Sequence, residues 1–172
     1  MDYKEYSASE AYRLQNAGGL VLICTRGADG RYDLAPIAWS CPIELDPVSR
    51  FVCVLDTGHR TFADLSASGS FAMALPGPAL KDLVFRCGSV SGAEVDKYAA
   101  FSIPFFAARK VDVRLPEGVS GWIECSVSRV ILEGTSALVL GDVLCAAAIE
   151  DFWKERLHYV DEDTTFVPGA KV

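Results

Sequence analysis

Apolar residues recur in short runs along this chain, and Gly, Pro or charged residues separate the runs. Runs rich in β-branched and aromatic residues between turn residues are typical of strands. Segments with apolar residues at helical spacing, closed by glycine, are typical of helices. The predicted strands cover residues 20–26, 32–39, 50–55, 70–75, 110–115, 122–132 and 137–149. The predicted helices cover residues 7–17, 61–69, 78–87, 93–101 and 151–156.

Six or seven strands with only short helices between them favour a closed antiparallel barrel over a parallel sheet. Within this pattern, Thr61 is predicted to cap its helix, and Gly141 to mark a bulge or bend. Val111 and Val113 alternate with charged residues, which predicts a half-exposed strand. Residues 158–172 are predicted to form an irregular tail.

Residues 34–47 combine low charge with three prolines, Pro36, Pro42 and Pro47. Proline removes a backbone donor and restricts the preceding residue to extended geometry. The stretch is therefore predicted to be extended and kinked rather than helical or part of a regular central strand. An apolar backbone that does not use all its own donors suits a flat apolar ligand with polar edges.

The composition and charge of the chain exclude several classes of function. With 172 residues and 51% hydrophobic residues, the chain is predicted to form one domain, residues 1–172, with a substantial core. The net charge of −7 argues against a nucleic-acid partner, which requires clustered Lys and Arg. No apolar run approaches the roughly 20 residues that span a bilayer, so no membrane role is predicted. The N-terminus is polar and acidic, unlike a signal peptide, and a cytoplasmic protein is expected.

The six cysteines are an even number, which permits disulfides, but most lie in apolar strand-like runs. Buried free thiols are the favoured interpretation. Cysteine spacing of the C-x-x-C type is absent and the chain has only two histidines, so no metal site is predicted. Cys41 could be a reactive thiol, although cysteines in apolar surroundings are usually inert.

His59 and Arg60 directly precede the helix predicted at residues 61–69. A helix start presents unpaired N–H groups and a positive dipole end, so His59, Arg60 and Thr61 could form an anion site. The alternative is a capped surface helix with a solvated arginine. Lys97 has acidic neighbours, so a simple surface salt bridge is its first interpretation. There is no Walker loop, and Gly88–Gly92 has Val90 where a nucleophile elbow needs serine.

Four stretches in the same order resemble the flavin reductase-like family of FMN-binding split barrels, and within it the flavoredoxin branch. They are Ala35-Pro-Ile-Ala-Trp39 with Pro42 and Leu45-Asp-Pro47; Arg60-Thr61 with Ser68-Gly-Ser-Phe71; Ser91-Gly92 with Asp96-Lys-Tyr98; and Ile123-Glu-Cys125 with Gly141-Asp-Val143. The resemblance covers residues 10–150. Family members often carry Ser or Thr where this chain has Glu44, and a second proline where it has Val48.

The resemblance implies a mainly β fold, a six-stranded antiparallel split barrel with short flanking helices, usually a homodimer with FMN near the subunit interface. It also implies that His59, Arg60 and Thr61 lie at the phosphate, and that Lys97 adds charge there or at the ring. The residues implied to line the isoalloxazine are Ile37, Ala38, Trp39, Ser40 and Cys41.

The function implied is that of an FMN-containing oxidoreductase, in which NAD(P)H or a protein donor reduces the flavin and a small molecule or protein accepts the electrons. The cofactor would carry the chemistry, so no catalytic acid or base is predicted. The alternative is a non-enzymatic flavin-binding or electron-carrier module on the same barrel.

Overall fold

The computed structural model describes residues 19–149, 157–159 and 166–168. The helices predicted at residues 7–17 and 151–156 lie outside these residues. The helices are α1 (Arg60–Ser68), α2 (Lys81–Gly88) and α3 (Lys97–Ala100), with a 3-10 turn at Pro78–Leu80 before α2. The strands are β1 (Val21–Arg26), β2 (Tyr32–Ile37), β3 (Ser40–Glu44), β4 (Arg50–Asp56), β5 (Ser70–Pro76), β6 (Phe105–Ala107), β7 (Arg114–Pro116), β8 (Val119–Glu133), β9 (Ser136–Ala148), β10 (Leu157–Tyr159) and β11 (Phe166–Pro168).

The main sheet has seven antiparallel strands in the order β2-β1-β5-β8-β9-β4-β3, and it must curl on itself. A flat sheet would place β2 and β3 about 29 Å apart, because neighbouring strands are about 4.8 Å apart. Yet only Ala38 and Trp39 separate these strands in the chain, and such a link reaches about 11 Å. The two edges therefore approach each other, and the predicted antiparallel barrel class is confirmed.

The kinked stretch supplies both edge strands of this sheet. Pro36 lies in β2 and Pro42 in β3, where the donor that proline lacks is not needed by a further strand. The chain breaks its pairing at Ala38 and Trp39, and the Trp39 carbonyl accepts a hydrogen bond from the Val54 amide at 2.9 Å. The strand predicted at residues 32–39 thus ends at Ile37, and β3 is a further strand within the stretch predicted to be extended and kinked, so the sheet has seven strands among the described residues rather than six.

The core has two parts because β1 and β5 are buried on both faces. Alternate side chains of a strand point to opposite faces of the sheet. Leu22 and Cys24 pack toward α2 and α3, whereas Val21 and Ile23 pack with Phe71 and the inner faces of β4 and β9. Helix α1 adds Leu65 to the second cluster.

Some local predictions were wrong. His59, not Thr61, is the N-cap of α1, and Thr61 is a buried residue of its first turn. Val111 and Val113 are buried in a loop rather than in a half-exposed strand, and the predicted irregular tail contains the β10–β11 pair. The irregularity near Gly141 is a register shift in the facing strand β8, between Val127 and Arg129.

All six cysteines lie in the described part of the chain as free thiols; Cys41 is exposed, Cys145 is half-buried, and the other four are buried. Among the described residues, no group of three His, Cys, Asp or Glu side chains is placed to hold a metal ion. None of the helices described in the structure is long and apolar enough to cross a membrane.

Candidate functional site

A cavity of about 380 Å³ opens between the end of β2, the start of α1 and the loop that joins α2 to α3. This volume lies within the roughly 300–1,000 Å³ typical of small-molecule sites. The residues that line it are Asp33, Ala35, Pro36, Ile37, Leu55, His59, Arg60, Thr61, Cys87, Gly88, Ser89, Val90, Ser91, Gly92 and Lys97.

Strand β2 forms the apolar wall of the cavity. Asp33, Ala35 and Ile37 are spaced two residues apart, so strand alternation places them on the same face. Leu55 of β4 and Val90 of the loop extend this apolar surface. The wall is suited to the flat face of an aromatic ligand, with polar groups at its ends.

Helix α1 presents its N-terminus to the cavity. His59 has extended backbone geometry (φ −85°, ψ 148°), and its carbonyl accepts the Phe62 and Ala63 amides at 3.1 and 3.3 Å. The amides at the start of a helix have no partner within the helix and point outward. His59, Arg60 and Thr61 therefore meet at one end of the cavity, as the sequence predicts for an anion site.

Two carboxylates hold the Arg60 guanidinium in place. Its Nε donates to Asp64 Oδ1 at 2.5 Å, and its Nη groups donate to the two oxygens of Asp29 at 2.7 and 3.1 Å. Each Nη still carries a second N–H, so Arg60 can donate to a ligand without breaking these contacts. The side chain is 12% exposed, so the alternative of a solvated surface arginine is wrong.

The carboxylates differ in their surroundings. Burial raises the pKa of Asp64, against the opposing effect of hydrogen bonds from Arg60 and from Thr25 Oγ1, which donates at 3.0 Å. Hydrogen bonds from Arg60 and Arg31 hold the pKa of exposed Asp29 below its usual range. The contact between Arg60 and Asp64 could be predicted from the sequence, because the two residues are at i,i+4 spacing in a helix. The sequence gives no such indication for the contact between Arg60 and Asp29.

Lys97 also lines the cavity, and its side chain is buried. Its Nζ donates to the Leu34 carbonyl at 2.7 Å and lies 3.1 Å from Asp33 Oδ1. Both side chains of this ion pair are at most 5% exposed, so the interpretation of Lys97 as a surface salt bridge is wrong. Asp33 was not predicted as a site residue. The only feature of the sequence that points to it is the presence of a carboxylate within an otherwise apolar strand.

The loop of residues 88–92 closes the cavity over this ion pair. A Cβ on Gly92 would overlap the Asp33 carboxylate, so glycine allows the loop to lie directly on it. Ser89 Oγ donates to the Arg86 carbonyl at 3.0 Å, and Ser91 Oγ accepts the Ala93 amide at 3.2 Å. These contacts fix two hydroxyl groups at the cavity wall.

Cys87 also lines the cavity, but it is not a nucleophile. Burial raises the pKa of its thiol to about 11, with Lys97 acting in the opposite direction. A thiol with so high a pKa is protonated at neutral pH, whereas a reactive cysteine requires the thiolate. The cavity thus has donors, cations and an apolar wall, without an activated nucleophile.

The structure brings together five of the predicted site residues, and they are Ile37, His59, Arg60, Thr61 and Lys97. The other four follow Ile37 in the chain but do not line the cavity of this single chain. Ala38 packs against the core, Trp39 and Cys41 are exposed, and Ser40 begins β3. Their assignment to a ring-binding surface stays a prediction.

Comparison with known proteins identifies a family and a fold. The family model described as "Flavin reductase like domain" matches residues 13–166. The uncharacterized protein YddH of Escherichia coli K12 is 30% identical over 180 residues, which cover 94% of this chain and 93% of YddH.

Two solved structures have the same fold. Flavoredoxin of Desulfovibrio vulgaris (Miyazaki F) superposes with a TM-score of 0.86 at 18% identity, covering 100% of this chain and 95% of flavoredoxin. An FMN-binding protein from Thermus thermophilus, solved with bound p-hydroxybenzaldehyde, gives a TM-score of 0.84 at 21% identity, covering 100% and 97%. At these identities the likeness establishes the split-barrel fold.

Proposed function

This chain belongs to the flavin reductase-like domain family, and from that premise we propose that it is a flavin-binding oxidoreductase that uses FMN. The observation that carries the proposal is the cavity between β2, α1 and residues 88–92, where an apolar wall ends in cationic and N–H-donating groups. The similar structures, a flavoredoxin and an FMN-binding protein, support the same cofactor.

The residues of the cavity fit the chemistry of FMN. The apolar wall that contains Ile37 and Leu55 suits the isoalloxazine ring, whose faces are apolar and whose edges are polar. The start of α1 with His59, Arg60 and Thr61 suits the phosphate, since a helix N-terminus and an arginine both favour an anion. FMN bound here would supply the redox chemistry, while the protein binds and orients it.

The protein groups contribute binding and orientation in this proposal, without transferring protons. Asp29 and Asp64 fix the Arg60 guanidinium, so little side-chain entropy is lost when it meets a phosphate. The protonated Cys87 thiol adds a small apolar surface. No catalytic acid or base is assigned.

Reconstitution with FMN followed by anaerobic titration tests the proposed function. The purified protein should bind FMN at micromolar concentration and become yellow, and NADH or NADPH should then bleach the flavin absorbance bands. Failure of added FMN to bind would refute the proposal. Binding of FMN without bleaching by either nucleotide would favour the alternative, a flavin-binding electron carrier that depends on a protein donor.

The phosphate assignment makes a separate prediction for Arg60. Arg60→Ala should weaken FMN by roughly ten- to a hundredfold, because a charge-assisted contact to the phosphate is lost. Riboflavin, which lacks the phosphate, should be affected much less. Fluorescence quenching titrations with both ligands measure the difference.

The matched control is Arg31→Ala. Arg31 donates to the same Asp29 carboxylate at 2.8 Å but does not line the cavity. Its loss should leave the affinities for both flavins unchanged. An equal loss of FMN and riboflavin affinity in Arg60→Ala would contradict the phosphate assignment.

We further propose that the active form is a homodimer with each FMN near the interface. The residues after Ile37 reach the surface, where Trp39 is 51% and Leu45 82% exposed. A second copy that covers this segment would bring Ala38, Trp39, Ser40 and Cys41 into a shared ring-binding surface. Exposed apolar side chains grouped on one segment are typical of such contacts.

A further inference from the structure

The buried pair of Asp33 and Lys97 has more hydrogen-bonding capacity than its protein neighbours use. Asp33 Oδ1 is fully buried and accepts no hydrogen bond from the residues that the structure describes. The Lys97 ammonium lies 3.1 Å away as an ion-pair partner, and its hydrogen bond goes to the Leu34 carbonyl. Buried polar atoms nearly always have a partner, and a carboxylate has several lone-pair sites to fill.

The position of Asp33 and Lys97 indicates that a ligand supplies the missing hydrogen-bond partner of the Asp33 carboxylate. Both residues line the cavity, and Gly92 lies so close to the carboxylate that any side chain there would displace it. A carboxylate accepts hydrogen bonds and an ammonium donates them. A group that meets both at once must therefore donate and accept.

Among the parts of FMN, the ribityl hydroxyls meet this requirement best. The phosphate accepts hydrogen bonds and is repelled by a carboxylate. The ring N–H lies between two carbonyl oxygens, which an adjacent carboxylate would also repel. A hydroxyl can donate to Asp33 and accept from Lys97 through different sites of one oxygen.

We propose that Asp33, paired with Lys97, recognises the hydroxylated ribityl chain of the flavin. This inference rests on the proposed FMN function and adds a specificity determinant to it. It places the polyol between the apolar wall, which holds the ring, and the start of α1, which holds the phosphate. It also removes Lys97 from the phosphate, because Asp33 neutralises its charge.

The test compares riboflavin with lumiflavin, which has the same ring system but a methyl group in place of the ribityl chain. The wild-type protein should bind riboflavin more tightly. The double substitution of Asp33→Leu and Lys97→Met removes both charges together, so no buried charge is left unpaired. It should weaken riboflavin by roughly ten- to a hundredfold and lumiflavin by less than about twofold, as expected for the loss of charge-assisted hydrogen bonds.

A second variant keeps both charged residues. Gly92→Ala places a Cβ against the Asp33 carboxylate and should displace it. The preference for riboflavin over lumiflavin should therefore fall, as it does in the double variant. The control is Glu124→Gln, which alters a buried carboxylate outside the cavity and should leave the preference unchanged. Because both ligands are measured on the same protein sample, partial unfolding lowers both affinities equally and does not change the ratio.

The outcomes separate this inference from the proposed function. A wild-type protein that binds no flavin overturns both. A wild-type protein that binds FMN, with the same riboflavin-to-lumiflavin ratio in all variants, overturns only the role of Asp33 and Lys97. A ratio that collapses in the double variant and in Gly92→Ala, but not in Glu124→Gln, supports it.

Discussion

Glu124 is a fully buried carboxylate that organises a loop rather than the cavity. Its oxygens accept the backbone amides of Arg109, Lys110 and Val111 at 2.9, 2.6 and 3.1 Å. The Trp122 indole donates a further hydrogen bond at 2.9 Å. These contacts fix residues 109–111 against β8, which explains why Val111 and Val113 are buried without lying in a strand.

Glu124→Gln should lower the free energy of unfolding by about 2–4 kcal/mol at pH 7, because an amide cannot accept all these hydrogen bonds at both ends. Urea unfolding measures the change. Glu117→Gln is the matched control, since Glu117 is exposed and should change stability by less than about 0.5 kcal/mol. Equal stability of the wild type and Glu124→Gln would show that the amides find other acceptors.

The same carboxylate predicts a pH dependence. Burial alone would raise the pKa of Glu124, but hydrogen bonds from Arg109, Lys110 and Trp122 outweigh it and hold the pKa below its usual range. The stabilisation is therefore fully present above the unfolded-state pKa and is lost as pH falls through the lower folded-state value. The difference in unfolding free energy between wild type and Glu124→Gln should narrow as pH falls below the ordinary glutamate pKa of about 4.3. A gap that is constant with pH would contradict this assignment.

At the residue scale, the cationic residues of the site were predicted from the sequence, but the carboxylates that hold them in place were not. The residue types of His59, Arg60 and Thr61 at a helix start were enough to predict their common position. Asp33 is 64 positions from Lys97 and Asp29 is 31 positions from Arg60, so each contact exists only after distant parts of the chain pack together. Such pairs cannot be read from the sequence pattern, which favoured a surface salt bridge for Lys97 and left a solvated surface position open as the alternative for Arg60.

At the scale of the elements, strand β9 needs a glycine at position 141, because the Phe71 side chain of β5 packs directly against it. A Cβ on Gly141 would lie 2.6 Å from Phe71 Cζ and 3.0 Å from the Cys125 Cβ. Phe71 is fully buried and has little room to move. The sequence pattern identified Gly141 as special and predicted a bulge or bend. The register shift lies opposite it, in β8, and Gly141 itself approaches a core ring closely.

Gly141→Ala should therefore lower the free energy of unfolding by about 1–3 kcal/mol through overpacking. Thermal or urea unfolding measures the loss. Adding Phe71→Leu to the variant should cost less than the sum of the two single substitutions, because the shorter side chain makes room for the methyl group. Strict additivity of the two changes would contradict the proposed contact.

At the scale of the whole molecule, the barrel class followed from short strands separated by turns and short helices. The strand order did not, because β1 pairs with β5 and β4 with β9 across long stretches of chain. The two edges meet through Ala38 and Trp39, in the segment that the prolines mark as kinked. The closure of the sheet thus explains why an apolar segment with two prolines belongs at its edges.

The segment that closes the barrel also presents an exposed apolar surface, formed by Trp39, Ile43, Leu45 and Val48. Replacing Leu45 by Glu should shift the proposed homodimer toward monomer, because a charge buried at an interface without a partner is strongly unfavourable. Light scattering after size exclusion measures the mass. Phe85→Glu on α2 is the control, since this exposed residue lies outside that segment and should leave the mass unchanged.

The same variant links assembly to ligand binding. If Ala38, Trp39, Ser40 and Cys41 complete the ring-binding surface only when a second copy covers them, Leu45→Glu should lose dimer and FMN affinity in parallel. Raising the protein concentration should restore both, because mass action favours the dimer. A monomeric variant that binds FMN as tightly as the wild type would mean that the cavity of one chain is sufficient. A wild type that is monomeric at every concentration would contradict the homodimer itself.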